Sequence, residues 1–147
     1  KYKPVKFTTE LIKKKKEKYL TKTVDIHGEY IKMTTLERTF VDMLDKPNYC
    51  GGIDEVWKSL EMIEYLDLQD VLKYLLLLNN KTTNSKVGYF LEENRERFNV
   101  NDEYLKKLND LKPKNVHYMD RGFRKNTKLI KKWNLAVPKN LFRKKME

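Results

Sequence analysis

The 147-residue sequence contains one cysteine, five glycines and four prolines, and it has no long hydrophobic run. A lone thiol, Cys50, cannot form a disulfide within the chain or supply a thiolate zinc cluster. No apolar stretch approaches the roughly 20 residues that a membrane-spanning helix requires. These absences exclude a disulfide-stapled secreted scaffold, and they favour a soluble protein of the reducing cytoplasm with no membrane partner.

The composition is typical of one folded domain with unevenly placed charge. The chain is 39% hydrophobic and 12% aromatic, which suffices for a single domain over residues 1–147. The net charge is +11, and residues 121–147 carry ten basic groups against Glu147 alone, whereas residues 34–103 carry 8 basic and 14 acidic groups. Because the chain starts at Lys1 rather than at methionine, we expect it to be part of a longer protein.

Strand patterns dominate the beginning of the chain. Val5 and Phe7 alternate with polar residues, which predicts a short strand before the lysine run 13–16. A longer alternation over residues 23–33 surrounds His27 and Gly28. This pattern predicts a β-hairpin with its turn at that dipeptide.

Apolar residues at helical spacing follow the predicted hairpin. The five predicted helices cover residues 34–46, 53–66, 68–78, about 83–98 and 102–111. Asp67 and Asn101 are the expected N-caps of the third and fifth helices. Short closing strands are predicted at 116–119 and at 135–137, before Pro138. The predicted fold class is therefore α+β, with an N-terminal hairpin, a central bundle of about five helices and closing C-terminal strands.

The first predicted helix carries a compact charged group. Thr34 precedes Glu37 by the three residues of a capping box, which predicts the N-cap at Thr34. Arg38 can reach Asp42 one turn later. If exposed, such a pair contributes only about 0.2–0.5 kcal/mol, whereas a buried pair would be a bidentate strut that holds the helix against the strands. The expected apolar face of this helix contains Leu36, Phe40, Val41 and Leu44.

Residue patterns that carry catalysis are scarce. His27 and His117 lie far apart, without acidic or thiol residues at ligand spacing, so no metal site is predicted. The sequence has no glycine-rich phosphate loop and no nucleophile elbow, so neither catalytic residues nor cofactors are predicted. The nearest approach to a nuclease is Asp25 with Glu29, but Tyr30 occupies the place that the second carboxylate needs. We interpret this group as polar strand positions.

Three blocks of the sequence resemble the C-terminal domain of AbiEi abortive-infection antitoxins. The first, residues 34–52, contains the residues that recur together in that family, namely Glu37-Arg38-Thr39, Asp42, Pro47, Tyr49-Cys50 and Gly51-Gly52. The second, residues 86–92, centres on Gly88, although a leucine more usually stands at the place of Val87. The closing block contains Asp120, Gly122, Trp133-Asn134-Leu135 and Pro138. The resemblance covers about residues 20–140.

The resemblance implies an antitoxin of a type IV toxin–antitoxin pair that opposes a nucleotidyltransferase-like toxin and represses its own promoter. It implies no catalytic residues. Members normally carry an N-terminal winged helix-turn-helix that binds the operator DNA, and no segment before Thr34 is long enough for one. The helices around residues 79–85 resemble a helix-turn-helix in spacing, but the family implies that they pack in the core. Gly51 and Gly52 are expected to form a tight loop between helices.

The closing basic segment is the predicted nucleic-acid surface, because clustered cations make sequence-independent contacts with phosphates. The candidate contacts are Arg121, Arg124, Lys125, Lys128, Lys131, Lys132 and Arg143. The leading hypothesis is an antitoxin and repressor domain that supports DNA binding by an upstream winged helix. The alternatives are an autonomous nucleic-acid-binding protein, a degenerate nuclease that uses Asp25 and Glu29, and a lysine-rich surface without a nucleic-acid role. The oligomeric state is left open.

Overall fold

The computed structural model describes the backbone of residues 8–143 and the side chains as far as Leu141. The strand predicted around Val5 and Phe7 and the side chain of Arg143 lie outside this part of the chain. The described helices are α1 (Thr9–Lys13), α2 (Leu36–Asp45), α3 (Ile53–Glu61), α4 (Leu68–Leu78), α5 (Lys81–Glu93), α6 (Asp102–Asp110) and α7 (Asn140–Arg143). The strands are β1 (Thr21–Ile26), β2 (Glu29–Thr34), β3 (His117–Tyr118), β4 (Thr127–Ile130) and β5 (Leu135–Pro138). The α+β prediction, with its hairpin and closing strands, is confirmed.

Strands β1 and β2 form the predicted antiparallel hairpin, in which Val24 lies opposite Ile31. His27 and Gly28 both have positive φ, 53° and 84°, as a two-residue hairpin turn requires. The Asp25 side chain accepts a hydrogen bond from the Gly28 amide at 2.9 Å and so closes the turn. Local turn chemistry is therefore sufficient to place this hairpin in the chain.

Helix α2 begins one residue later than the capping-box pattern predicts. Its N-cap is Thr35, whose hydroxyl accepts a hydrogen bond from the Arg38 amide, because Thr34 is still paired with Thr21 in the hairpin. Glu37 does not return to the cap, since its carboxylate accepts a hydrogen bond from the Asp67 amide at 3.1 Å. Leu36 was wrongly placed on the apolar face of the helix, because 45% of its surface is exposed.

Two further helix boundaries differ from the predictions. Helix α3 ends at Glu61, and the apolar pattern that continues to Leu66 belongs to the connection after it, where Leu66 packs into the core. Helix α5 runs over Lys81–Glu93 rather than over 83–98, because Asn80 caps it by accepting a hydrogen bond from the Thr83 amide. The predicted caps at Asp67 and Asn101 are confirmed.

The closing strands form a sheet of order β3-β5-β4, in which β3 is parallel and β4 antiparallel to β5. Strand β4 lies inside the basic segment and was not predicted, since its two central residues, Lys128 and Leu129, are both exposed. Strand β5 is buried along its whole length and includes Pro138, one residue beyond the predicted end.

Helix α5 is the centre of the core, and every residue from Thr83 to Leu91 is buried. The Phe90 ring contacts Phe40 of α2 and Trp57 of α3, with ring centroids 5.3 and 5.4 Å apart. Within residues 8–143, none of the helices combines the length and the apolar surface that a membrane crossing demands.

Candidate functional site

Arg38 is buried, with 2% of its surface exposed, and it ties α2 to the chain that enters the hairpin. One guanidinium nitrogen, Nη1, donates to the carbonyl oxygens of Glu17 at 2.6 Å and Tyr19 at 2.7 Å. Its Nε lies 3.5 Å from Asp42 Oδ2. Arg38 is therefore a buried strut whose nearest partners are backbone carbonyls. The expected buried pair with Asp42 is met only in part, because the Asp42 side chain is 40% exposed.

Asp42 extends this network to helix α4. Its Oδ1 accepts a hydrogen bond from the Tyr74 hydroxyl at 2.6 Å. Burial raises the pKa of the Asp42 carboxyl, and the hydrogen bond from Tyr74 and the nearby Arg38 oppose that rise. Burial and the Asp42 carboxylate together raise the pKa of Tyr74 well above its usual range. Through its hydrogen bond with Tyr74, Asp42 joins α2 to α4, which is a structural role.

Gly88 and Trp133, which belong to separate blocks of the resemblance, are in direct contact. A Cβ atom at Gly88 would lie 2.3 Å from Cζ3 of the fully buried Trp133 indole. The indole Nε1 donates to Glu92 Oε1 at 3.1 Å, and the Trp133 carbonyl accepts from the Ser85 hydroxyl at 2.7 Å. Glycine at position 88 therefore makes room for the indole against α5.

The remaining motif residues shape the connection between α2 and α3. Pro47 is buried and begins a 3-10 turn over Pro47–Cys50. Gly51 and Gly52 have φ of +86° and +98°, backbone angles that favour glycine, so the predicted tight loop is confirmed.

A cavity of about 470 Å³ lies where this turn meets the start of α5 and the chain after β3. Its charged lining consists of Asp45, Lys46, Lys86, Asp120 and Arg121. Three cationic and two anionic groups leave a net charge of +1 in the lining. Two tyrosines, Tyr49 and Tyr118, together with Asn80, Thr82 and Thr83, contribute aromatic and polar surface to the same cavity.

Lys86 is the buried cation of this cavity, with 5% of its surface exposed. Its ammonium donates to the carbonyl oxygens of Leu44 at 3.0 Å and Asp45 at 3.5 Å, at the C-terminal end of α2. Burial lowers the pKa of Lys86 to about 8, although the carboxylates of Asp45 and Asp120 favour its charged form. At neutral pH the group remains mostly protonated and adds positive potential to the cavity.

The predicted cationic residues lie along one short stretch that borders the cavity. Arg121, Arg124 and Lys125 stand in the connection from β3 to β4, and all three are exposed. Arg121 lines the cavity, and the Arg124 guanidinium lies 5.3 Å from the ring centroid of Tyr118. The basic connection therefore lies directly beside Tyr118, one of the two tyrosines that line the cavity.

The later cations have different surroundings. Lys128 lies in β4, and Lys131 lies in the 3-10 turn that follows; both are exposed. Lys132 forms an ion pair with Glu92, which also accepts a hydrogen bond from Trp133. The ion pair partly neutralises the charge of Lys132, so we expect Lys132 to contribute less to phosphate binding than Arg121 does.

Sequence reasoning missed Lys86, Lys46, Tyr49 and Tyr118 as site residues. They come from three separate segments, the connection after α2, helix α5 and strand β3, and no spacing rule brings such segments together. Lys86 follows Thr82, Thr83, Asn84 and Ser85 in α5, so the sequence around it has no apolar pattern that would have indicated its burial. Its burial became visible only when α5 was seen to be buried from Thr83 to Leu91.

Comparisons with protein-family models, with curated proteins and with solved structures return no match for this chain. Across the described residues, three or more histidine, cysteine, aspartate or glutamate side chains are nowhere grouped in a way that could hold a metal ion.

Proposed function

We propose that this chain is the antitoxin domain of an AbiEi-type type IV toxin–antitoxin system, acting in the cytoplasm against a nucleotidyltransferase-like toxin. One observation carries the proposal: residues of all three blocks of the resemblance form a connected framework around α2 and α5. Phe40 of the first block contacts Phe90 of the second, and the Lys86 ammonium of the second block donates to the Leu44 carbonyl of the first. The Trp133 indole of the closing block lies against Gly88 of the second. Blocks that are far apart in the sequence and in contact in the structure support a shared fold more strongly than three unconnected sequence matches would.

Within this proposal, the domain also supports autorepression by adding phosphate contacts to a DNA-binding module elsewhere. Residues 121–132 contain six cationic side chains and no acidic one. Exposed cations in one short stretch attract a polyanion without reading its sequence. The proposed partners are therefore operator DNA, contacted together with an upstream winged helix, and the toxin.

Helices α4 and α5 do not support an autonomous helix-turn-helix. The turn at Asn79 and Asn80 has the expected place between two helices, but the would-be recognition helix α5 is buried from Thr83 to Leu91. A helix that is covered on all sides cannot enter a DNA groove. The burial of α5 supports the interpretation that this helix packs in the core.

The nuclease alternative gains no geometric support from the hairpin. Asp25 lies opposite Tyr30, and Glu29 lies opposite Ile26, so that the two carboxylates are on opposite faces of the ribbon. Asp25 is also hydrogen-bonded to the turn. Two carboxylates that face away from each other do not share a metal ion.

Co-expression with a nucleotidyltransferase-like toxin of a type IV pair tests the antitoxin proposal. We expect the chain to restore growth of cells that produce the toxin. Gly88→Trp, which places a large side chain against the Trp133 indole, should abolish rescue because it breaks the framework. Lys73→Ala, on the exposed side of α4, is the matched control and should rescue fully. A folded wild-type chain that accumulates without rescuing growth would contradict the antitoxin assignment.

A further inference from the structure

We propose that the cavity between α2, α5 and the β3–β4 connection binds a single unpaired nucleotide of a nucleic-acid strand whose backbone lies on the neighbouring cations. This inference rests on the phosphate contacts of the proposed function, which apply equally to the operator duplex, and it adds an unpaired nucleotide as the feature that strengthens binding. The domain would accordingly prefer single strands, or unpaired ends and loops, to a regular duplex.

The dimensions of the cavity are suited to one nucleotide. Its volume of about 470 Å³ lies within the range of roughly 300–1,000 Å³ that is usual for small-ligand sites. A base inside a duplex cannot reach such a recess without leaving its stack, which costs free energy. An unpaired nucleotide is already outside a duplex stack, so its binding does not require this free energy.

Aromatic side chains at the cavity supply stacking surfaces. Tyr49 is 58% exposed, and Lys46 Nζ lies 5.6 Å from the centroid of its ring. Tyr118 is half-buried, with the Arg124 guanidinium over its ring. Proteins that bind single strands combine aromatic platforms with cations in this way, because every base has a face that can stack.

The charges of the cavity distinguish a nucleotide within a strand from a free polyphosphate. Asp45 and Asp120 would repel a triphosphate that entered fully, whereas Arg121 at the start of the basic connection suits one backbone phosphate at the mouth. Carboxylates accept hydrogen bonds from the exocyclic amino groups of bases. We therefore expect cytosine, which carries a 4-amino group, to bind better than thymine, which carries an oxygen there.

Several side chains of the cavity already make hydrogen bonds within the domain, so they are not fully available to a ligand. Asp45 Oδ1 accepts a hydrogen bond from Thr83, and Asp120 Oδ1 accepts one from the Gly122 amide. Lys86 is held by carbonyl oxygens at the end of α2. Because their partners hold these groups in place, the cavity is preorganised and requires little rearrangement on binding.

The test measures fluorescence anisotropy of the whole chain with labelled dC12, dT12 and a 12-base-pair duplex at fixed salt. We expect dC12 to bind more tightly than dT12, and both single strands more tightly than the duplex. Tyr49→Ala should weaken binding of dC12 by about 5- to 150-fold, the usual range when a stacking aromatic is removed. Tyr65→Ala is the matched control, because Tyr65 is also exposed, at 74%, and does not line the cavity.

Asp120→Asn tests recognition of the amino group, since the amide keeps an acceptor for Gly122 but loses the negative charge. We expect the preference for dC12 over dT12 to fall toward one in this variant. A crosslinking experiment needs no substitution: a single 5-iodo-deoxyuridine in the strand should attach, on irradiation, to the peptide that contains Tyr49 or Tyr118. Attachment only at a peptide remote from the cavity would overturn the proposal.

Two negative results distinguish failure of the cavity proposal from failure of the proposed phosphate contact. If the duplex binds and Tyr49→Ala behaves like Tyr65→Ala, the cavity proposal is wrong, while the sequence-independent phosphate contact survives. If neither the single strands nor the duplex bind, the phosphate contact of the proposed function fails, and the cavity proposal fails with it. Competition by free dCMP that equals competition by dC12 would also overturn the requirement for a strand.

Discussion

Substitution of Gly88 by alanine should destabilise the domain, although glycine inside a helix is usually unfavourable. In an ordinary helix, replacing glycine by alanine stabilises by about 1 kcal/mol. Here the new Cβ would lie 2.3 and 2.4 Å from two atoms of the Trp133 ring, far inside the contact distance of about 3.5–4.0 Å. The indole must therefore move by more than about 1 Å in a fully buried site.

The magnitude follows from the two opposing terms. Overpacking of a well-filled core costs about 1–3 kcal/mol, and expulsion of the indole would approach the 3–5 kcal/mol of a tryptophan truncation. After subtraction of the helix-propensity gain of about 1 kcal/mol, overpacking leaves a cost of about 0–2 kcal/mol and expulsion of the indole a cost of about 2–4 kcal/mol. Because the indole must move by more than about 1 Å, we expect the free energy of unfolding to fall by about 2–4 kcal/mol. For a domain of this size, that corresponds to a decrease in Tm of roughly 5–15 °C.

Urea denaturation followed by far-UV circular dichroism is the appropriate assay, because it does not depend on Trp133 fluorescence. Gly88→Ala should be measured in the wild-type chain and in a Trp133→Leu background. With the indole removed, the same substitution should be neutral or stabilising by up to about 1 kcal/mol. An equal loss of stability in both backgrounds would refute the steric argument.

Three further substitutions test other contacts. Arg38→Met should lower the free energy of unfolding by about 2–4 kcal/mol in urea titrations, because the half-buried carbonyls of Glu17 and Tyr19 lose their donor while Asp42 keeps only its hydrogen bond from Tyr74; a change below 1 kcal/mol would contradict the strut. Asp67→Ala should cost about 1 kcal/mol, since two α4 amides lose their cap, whereas Asp102→Ala, an exposed first-turn residue of α6, should cost less. The folded pKa of Lys86, about 8, is below its unfolded value of about 10.4, so the unfolded chain binds more protons between these two pH values. Lys86 alone should therefore raise the free energy of unfolding by about 2 kcal/mol between pH 8 and 10, and the buried tyrosines with raised pKa oppose this rise near pH 10. Lys86→Met should lose that rise, and equal pH slopes in the two proteins would show that Lys86 is not responsible.

Sequence reasoning succeeded where the structure depends on neighbouring residues. The hairpin follows from His27 and Gly28, whose positive φ angles are a property of the turn itself. The caps at Asp67 and Asn101 follow from side chains that accept hydrogen bonds from amides two or three residues along the chain. Such interactions are complete within a few residues, so a pattern can predict them.

Predictions were wrong where a distant partner decided the outcome. Thr34 has the spacing of a cap, but it is paired with Thr21 across the hairpin, and Thr35 caps α2 instead. Strand β4 has no apolar alternation, and it exists because its backbone pairs with β5. Pairing between strands is satisfied by main-chain groups, which do not depend on the side chains that a pattern displays.

Of the candidate site, the basic segment was predicted from the sequence and the cavity was not. The block of cations after Asp120 was visible as composition, and the exposure of Arg121 and Arg124 agrees with it. The cavity was not visible, because Lys86, Tyr49 and Tyr118 come together only when α2, α5 and β3 are packed.

By itself, the sequence determined the α+β class, the hairpin, the caps at Asp67 and Asn101 and the basic closing segment, because each depends on local hydrogen bonding or on composition. Only the tertiary structure decided that Arg38 is buried on carbonyls of residues 17 and 19, that Gly88 makes room for Trp133, and that a charged cavity opens beside Arg121. The physical reason is that burial and desolvation depend on which segments pack together, and these contacts join residues about 20 to 75 positions apart.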